Sequence, residues 1–278
     1  MNDRPLSIIS GPPLSEEEGL GALTLGGWLR EVTDRFGPRE ALVLHEAGGA
    51  VRWTYDELWA QANAVARALL ACGVGKGVRV GVLMTNRPEF LSAVFGVALA
   101  GGVATTLSTF STPAELEHLL RSSACSVLLL ERRVLKKDFA EMVTGLEPSV
   151  AATAPGGLAS LKFPFLRHIV AIGAAVRGGE GAIEDWDGFL ARGGAVSQAL
   201  VDATAASVTP ADPGVLFFSS GSTAKPKGIL SAHRGVTLQL WRWKRYYAAG
   251  DDVRIWSANG FFWSGNFGMA IGGGLSSG

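Results

Sequence analysis

Apolar residues at Leu25, Trp28, Leu29, Val32 and Phe36 recur at helical spacing and predict a helix that Gly37 and Pro38 end. Two short apolar runs, 41–44 and 51–53, flank Gly48-Gly49 and read as strands joined by a tight turn. Thr54-Tyr55-Asp56-Glu57 is a capping box, in which the threonine hydroxyl and the glutamate satisfy each other's backbone donors. It opens a helix with Leu58, Val65, Leu69 and Cys72 on one face, stopped by Gly73. Run 78–84 reads as a buried strand. Asn86-Arg87-Pro88-Glu89 starts the next helix, which ends at Gly101-Gly102, and 103–107 is a further strand. Thr112-Pro113-Ala114-Glu115 is a second capping box, with proline at the first helical position. Its helix runs to about Ser123, and 126–130 follows as a strand. Such alternation of strand and helix predicts an α/β fold with a right-handed, parallel-rich sheet and flanking helices.

Beyond it the pattern predicts a helix over 134–143, a strand over 167–172 and a short helix over 185–190. Gly/Ala/Pro-rich stretches at 148–157, 173–181 and 193–213 read as connections, the last a candidate subdomain break. After Asp212-Pro213-Gly214, 215–218 is a strand. A helix is expected over 234–248, with Val236, Leu240, Trp243 and Tyr247 on one face, and a strand over 255–258. The stretch 260–278 is apolar and rich in glycine. Residues 1–22 read as a flexible arm and 23–278 as one domain. The most membrane-like stretch, 90–107, contains Ser92, glycines and threonines, and reads as a buried helix running into a strand rather than a membrane span.

Composition narrows the function classes. Of the 278 residues 47% are hydrophobic and 18% charged, which points to a globular chain with a sizeable core. The 25 basic and 25 acidic residues cancel, so no basic footprint favours nucleic acid or an anionic membrane. Two cysteines, Cys72 and Cys125, cannot make a disulfide framework, and there is no zinc-binding spacing. No signal peptide is visible at the N-terminus, so the expected location is cytoplasmic.

Candidate chemistry concentrates in Ser219-Ser220-Gly221-Ser222-Thr223-Ala224-Lys225-Pro226-Lys227-Gly228. Hydroxyls crowd this run, and Gly221 and Gly228 let the backbone turn tightly. Successive backbone N–H groups in such a turn form a concave anion site. Lys225 and Lys227 add charge, and Pro226 stiffens the chain between them. A polyphosphate suits these donors. The bland alternative is a solvated Ser/Gly/Lys turn. The run is not a Walker A loop, and Gly75-Lys76-Gly77 is not a dinucleotide fingerprint because Val80 stands where the third glycine would be.

The ordered run resembles the phosphate loop of the adenylate-forming, or AMP-binding, superfamily: acyl-CoA synthetases, peptide-synthetase adenylation domains and luciferases. Trp53-Thr54-Tyr55-Asp56-Glu57-Leu58 and Leu99-Ala100-Gly101-Gly102-Val103-Ala104, with Leu107, are similar to two further markers of that family in matching order. The similarity extends from about Leu25 to the end, and 107–116 looks most like the acyl-CoA ligases. The resemblance implies layered parallel-rich sheets with flanking helices, as in the family's large N-terminal domain. It also implies activation of a carboxylic acid, fatty or otherwise apolar, to an acyl-adenylate with ATP and Mg²⁺, then thioester formation with coenzyme A. Ser219, Ser220, Gly221, Ser222, Thr223, Ala224 and Lys227 are thereby assigned to the ATP phosphates, and Ser219 also to Mg²⁺. No residue is singled out as catalytic, Lys227 acting in support. Ala224 departs from the usual glycine, and if that position needs positive φ the alanine is strained by roughly 1–2 kcal/mol.

His233, Phe262 and Trp263 are candidates for the acyl pocket. For His233, packing at a helix start is at least as good a reading; the aromatics fit an apolar slot and an ordinary core equally well. His45, His118 and His168 carry no functional signal. Set against this family the chain stops at Gly278 before its metal glutamate, ribose segment, hinge and lysine-bearing C-terminal domain, so a partial domain inactive by itself is expected. Rival readings are a peptide-synthetase-type domain loading a carrier protein, and a non-catalytic nucleotide-binding fragment. Gly274-Leu275-Ser276-Ser277-Gly278 fits a serine-hydrolase elbow by chance alone, with no acid or histidine after it. Oligomeric state is left open.

Overall fold

The computed structural model describes Pro13 and residues 21–173, 181–219 and 225–278. Helix α1 (Leu25–Phe36) is followed by the antiparallel hairpin β1 (Glu40–Glu46) and β2 (Gly49–Thr54). Then come α2 (Tyr55–Ala71), β3 (Arg79–Leu83), α3 (Pro88–Leu99), β4 (Val103–Thr106), α4 (Pro113–Ser123) and β5 (Val127–Glu131). Both capping boxes form: Thr54 Oγ1 accepts from the Glu57 N–H at 3.1 Å and Thr112 Oγ1 from the Glu115 N–H at 3.3 Å. Each glutamate reaches back to the cap's own N–H at 2.7 Å.

A two-residue ribbon, β6 (Arg133–Val134) and β7 (Lys137–Asp138), precedes α5 (Phe139–Leu146) and a single turn, α6 (Ser149–Ala152). The helix expected over 134–143 therefore starts five residues late. The Asp138 carboxylate is the reason: it accepts from the Glu141 N–H at 3.0 Å as the cap of α5 and pairs with Arg132 and Arg133. Strands β8 (His168–Ile172) and β9 (Ile183–Asp185) lead to α7 (Trp186–Arg192). Residues 193–213, expected as a connection, hold α8 (Gln198–Ala206), capped by the Ser197 hydroxyl. Strands β10 (Pro213–Ser219) and β11 (Lys227–Ala232) precede α9 (His233–Tyr246).

Seven strands form one sheet in the order β11-β10-β4-β3-β5-β8-β9, all parallel except β11. The strands alternate cleanly between two cores. Val80, Val82, Val127, Leu129, Val215 and Phe217 face one that also contains α1, α2, α3 and α9. Leu83, Leu128, Leu130, Ile169 and Ile183 face the other, with α4 and α5. Helix α3 is buried along nearly its whole length and feeds β4, and no helix among the described residues is long and apolar enough to cross a membrane.

No strand forms at 255–258; that segment runs without regular structure. The glycine-rich end becomes a π-helix, Phe267–Gly272, between the single turns Ser264–Asn266 and Gly273–Leu275. Its composition has a packing cause. A Cβ on Gly272 would stand 2.5 Å from the Leu240 Cα of α9, so only glycine lets the two backbones approach this closely.

Candidate active site at the carboxyl ends of β4 and β10

Because β4 and β10 are parallel neighbours, their carboxyl ends open onto the same edge of the sheet, where open α/β sheets bind ligands. Strand β10 ends at Ser219, paired directly with Lys227 at the start of β11. The hydroxyl-rich run is therefore the loop of an antiparallel hairpin whose two ends are locked by strand pairing. Ser220, Gly221, Ser222, Thr223 and Ala224 lie outside the described residues, as does the question of strain at Ala224.

The loop is held at its exit. His118 Nε2 lies 2.8 Å from the Pro226 carbonyl, and since a carbonyl only accepts, this nitrogen carries the proton and donates. The contact joins residues 108 apart in sequence, and nothing in the helical pattern of α4 marks His118 for it. On the neighbouring wall, the Lys137 ammonium donates to the carbonyls of Thr109, Phe110 and Ser111 at 3.2, 2.7 and 2.9 Å and fixes that turn.

Between these supports lies a cavity of about 220 Å³, lined by Ser219 and Pro226 on one side and by Thr106, Phe110, Phe262 and Trp263 on the others. Phe262 is buried and its carbonyl accepts from Thr106 Oγ1 at 3.0 Å. Its ring stands edge-on to Phe110 and tilted against Trp263. A Cβ on Gly260 would fall 2.1 Å from the Phe262 ring, so glycine there lets the ring fold back over the chain. Glu115 is the carboxylate lining this cavity. The backbone N–H and then the hydroxyl of Thr112, donating to it, hold its pKa below the ordinary glutamate value.

The structure thus brings Ser219, Phe262 and Trp263 around one cavity, with Lys227 across the hairpin from Ser219. His233 is elsewhere. It is fully buried at the start of α9, and its Nδ1 accepts from the Leu25 N–H at 3.2 Å. Burial first, opposed by Asp212, lowers its pKa from 6.5 to about 4. Protonation therefore favours the unfolded chain, and stability is lost as pH falls from about 6.5 towards 4. At pH 4.5 the loss assignable to His233 is roughly 2.5 kcal/mol. Urea unfolding at pH 7 and pH 4.5 checks this: wild type should lose that much more than His233→Asn between the two values. Equal losses would remove His233 as the cause.

Among the described residues no group of three His, Cys, Asp or Glu side chains is placed to hold a metal. Magnesium in nucleotide sites is held largely by phosphates and waters with one or two protein oxygens. The Ser219 hydroxyl at the loop mouth fits that modest demand, so Mg²⁺ would enter with the nucleotide.

The AMP-binding enzyme family matches residues 29–278. The chain is similar to the acyl-CoA ligase SID4 of Ajellomyces capsulatus, 28% identical over 236 residues, which cover 84% of this chain and 37% of that protein. It is similar also to the 3-hydroxybenzoate/4-hydroxybenzoate–CoA ligase of Thauera aromatica, 29% identical over 81% of this chain and 38% of that one. Among solved structures, the anthranilate CoA ligase AuaEII in complex with anthranoyl-AMP superimposes with a TM-score of 0.68 at 21% identity, over 95% of this chain and 45% of that one. The chain spans less than two-fifths of the length of these curated relatives.

Proposed function

This chain belongs to the AMP-binding enzyme family, and from that premise we propose that the protein activates an apolar carboxylic acid with ATP and transfers the acyl group to coenzyme A. In the first step a carboxylate oxygen attacks the α-phosphorus and the bond to pyrophosphate breaks, leaving an acyl-adenylate. In the second the thiol attacks the acyl carbonyl, loses its proton, and AMP departs.

One observation carries the reading. The Ser219–Lys227 hairpin, an anion-binding loop by composition, stands against an apolar cavity walled by Phe262 and Trp263. Two anions must meet in this reaction, and the chain's part is to offset phosphate charge and orient the acid. Donors of the 219–228 run would take the β- and γ-phosphates, with Lys227 supplying charge at the base of the loop and Ser219 a hydroxyl. The cavity would hold the apolar part of the acid with its carboxylate towards the loop. Alignment of this kind is worth about 7–11 kcal/mol of a bimolecular barrier. The relatives named as acyl-CoA and hydroxybenzoate–CoA ligases support coenzyme A as the acceptor.

The test is acid-dependent pyrophosphate–ATP exchange with butyrate, benzoate and dodecanoate, followed by mass spectrometry of coenzyme A thioesters. Exchange by these 278 residues is expected to be absent or barely above the acid-free background, given the share of the relatives they span, and robust turnover would overturn the expectation that the chain is inactive by itself. Absence of both acid-dependent exchange and calorimetric ATP binding, with every acid tried, would overturn the proposal. Exchange with no coenzyme A thioester would move the acceptor to a carrier protein.

A further inference from the structure

A second cavity, of about 500 Å³, lies against β1. Asn86 and Phe261 are among its lining residues, whereas Phe262 and Trp263 line the smaller cavity beside the phosphate hairpin. Consecutive residues thus face different cavities, and the chain partitions the two at Phe261 and Phe262, the end of the segment 257–262. It has no helix or strand of its own to hold it.

Two asparagine side chains hold it instead. Asn86, just beyond β3, uses its whole amide: Oδ1 accepts from the Phe261 N–H at 2.7 Å, and Nδ2 donates to the carbonyls of Asn259 at 2.7 Å and Ser257 at 3.3 Å. From the other side Asn266 donates to the same Asn259 carbonyl at 2.7 Å and accepts from the Ser257 hydroxyl at 2.8 Å. Thr106 closes the clasp at the Phe262 carbonyl. The Asn259 carbonyl is exposed and the Phe261 N–H half-buried, and side chains supply their partners where a sheet would otherwise do so. Outside the clasp the partition is braced by rings, Phe261 against Phe90 and Phe262 against Phe110.

We infer that the Asn86–Asn266 clasp is a specificity-determining device that keeps the acyl cavity separate and small, so that the site takes a short or single-ring acid and rejects a long chain. The inference rests on the acid-activating reading above and adds the substrate class. At about 220 Å³ and open on one side, the cavity seats a short chain or a single ring beside Phe262 and Trp263, and the clasp decides whether more of an acid can enter behind them. With the partition released, the cavity would run into the larger one and accommodate a longer chain. Asn86 acts through the segment it holds, as a positioning residue.

The experiment uses the full 278-residue chain. Calorimetry with benzoate, butyrate and dodecanoate in the presence of ATP·Mg²⁺ is paired with hydrogen exchange across residues 257–262. Three variants are compared with wild type: Asn86→Ala, Asn266→Ala, and Asn86→Asp, which keeps size and acceptor but loses both donors. Wild type should bind benzoate or butyrate at least about tenfold more tightly than dodecanoate. In each variant that folds, exchange in 257–262 should rise and the preference should fall to within about twofold. ATP affinity, read in the same titrations, should stay near wild type. Faster exchange with an unchanged preference would leave the clasp merely structural and overturn the inference, as would unchanged exchange or tight dodecanoate binding by wild type. Should all variants fail to fold, the wild-type preference decides alone. Failure of wild type to bind any acid would sink the acid-activating reading itself, a result distinct from the others.

Discussion

Lys227→Ala is expected to weaken ATP·Mg²⁺ binding about 10- to 100-fold, the worth of one hydrogen bond to a charged group, and to slow pyrophosphate–ATP exchange about 100-fold or more, as removal of one preorganised donor does elsewhere. The structural reason is position. Lys227 is paired with Ser219 in the strand register, so its backbone is fixed at the base of the 219–228 hairpin. Lys225 lies before the strand begins and is not so fixed, and Lys225→Ala should cost less than a third as much in free energy. Lys227 is exposed, so its truncation should move the unfolding midpoint by no more than about 0.5 kcal/mol. That separates a lost phosphate contact from a damaged fold. Calorimetry and exchange on the two variants, with urea unfolding as control, make the comparison. Equal effects of Lys225 and Lys227 would mean that the loop acts through bulk charge alone, and full ATP affinity in Lys227→Ala would remove it from the site.

Much of the frame was legible because the signals were local. A capping box closes within four residues, and Thr54 and Thr112 mark the starts of α2 and α4 correctly. The alternation that predicts a parallel α/β layer is likewise written in short apolar runs, and the family resemblance read from three motifs agrees with the family match. What escaped depends on distant contacts. Strand β11 is exposed along most of its length and carries no buried face to announce it; it exists by pairing with β10. The opposite failure occurred at 255–258, where Ile255 and Trp256 look like a strand but pair with none of the described strands, and side chains from Asn86 and Asn266 fix the segment instead. Of the candidate site, the loop's composition and its family resemblance were visible in its order. Its supports were not: His118 reaches Pro226, and Asn86 reaches Phe261, across 108 and 175 residues. Neither side chain differs in its own neighbourhood from an ordinary helix or turn residue.

Trp28→Ala should give the largest loss of stability, about 4 kcal/mol, in the range for truncating a buried aromatic. Trp28 is the hub through which α1 joins the layer that supports the site. Fully buried, it stacks on Phe95 of α3 with centroids 5.6 Å apart and an interplanar angle of 20°, and meets Trp241 of α9 edge-on at 5.9 Å. Helix α9 is in turn tied to the start of α1 by the Leu25 N–H on His233, and to the chain just before it by Trp241 Nε1 on the Ala22 carbonyl at 3.1 Å. An alanine removes both aromatic contacts and leaves a cavity between three helices that cannot easily close, because α3 is packed on the sheet. Trp28→Phe distinguishes this from a role of the indole N–H. Nε1 is buried without a partner among the described residues, so phenylalanine gives up no hydrogen bond seen there and relieves an unsatisfied donor worth about 1–3 kcal/mol. That gain offsets much of the lost volume, and Trp28→Phe should cost under about 1.5 kcal/mol. Urea unfolding with an unchanged m-value reads both numbers. If phenylalanine proves as damaging as alanine, the indole N–H is bonded after all and the hub is polar as well as apolar. If alanine costs under about 1 kcal/mol, α1 is not part of the cooperative core, and its ties to α9 add nothing to the frame behind the β10–β11 hairpin.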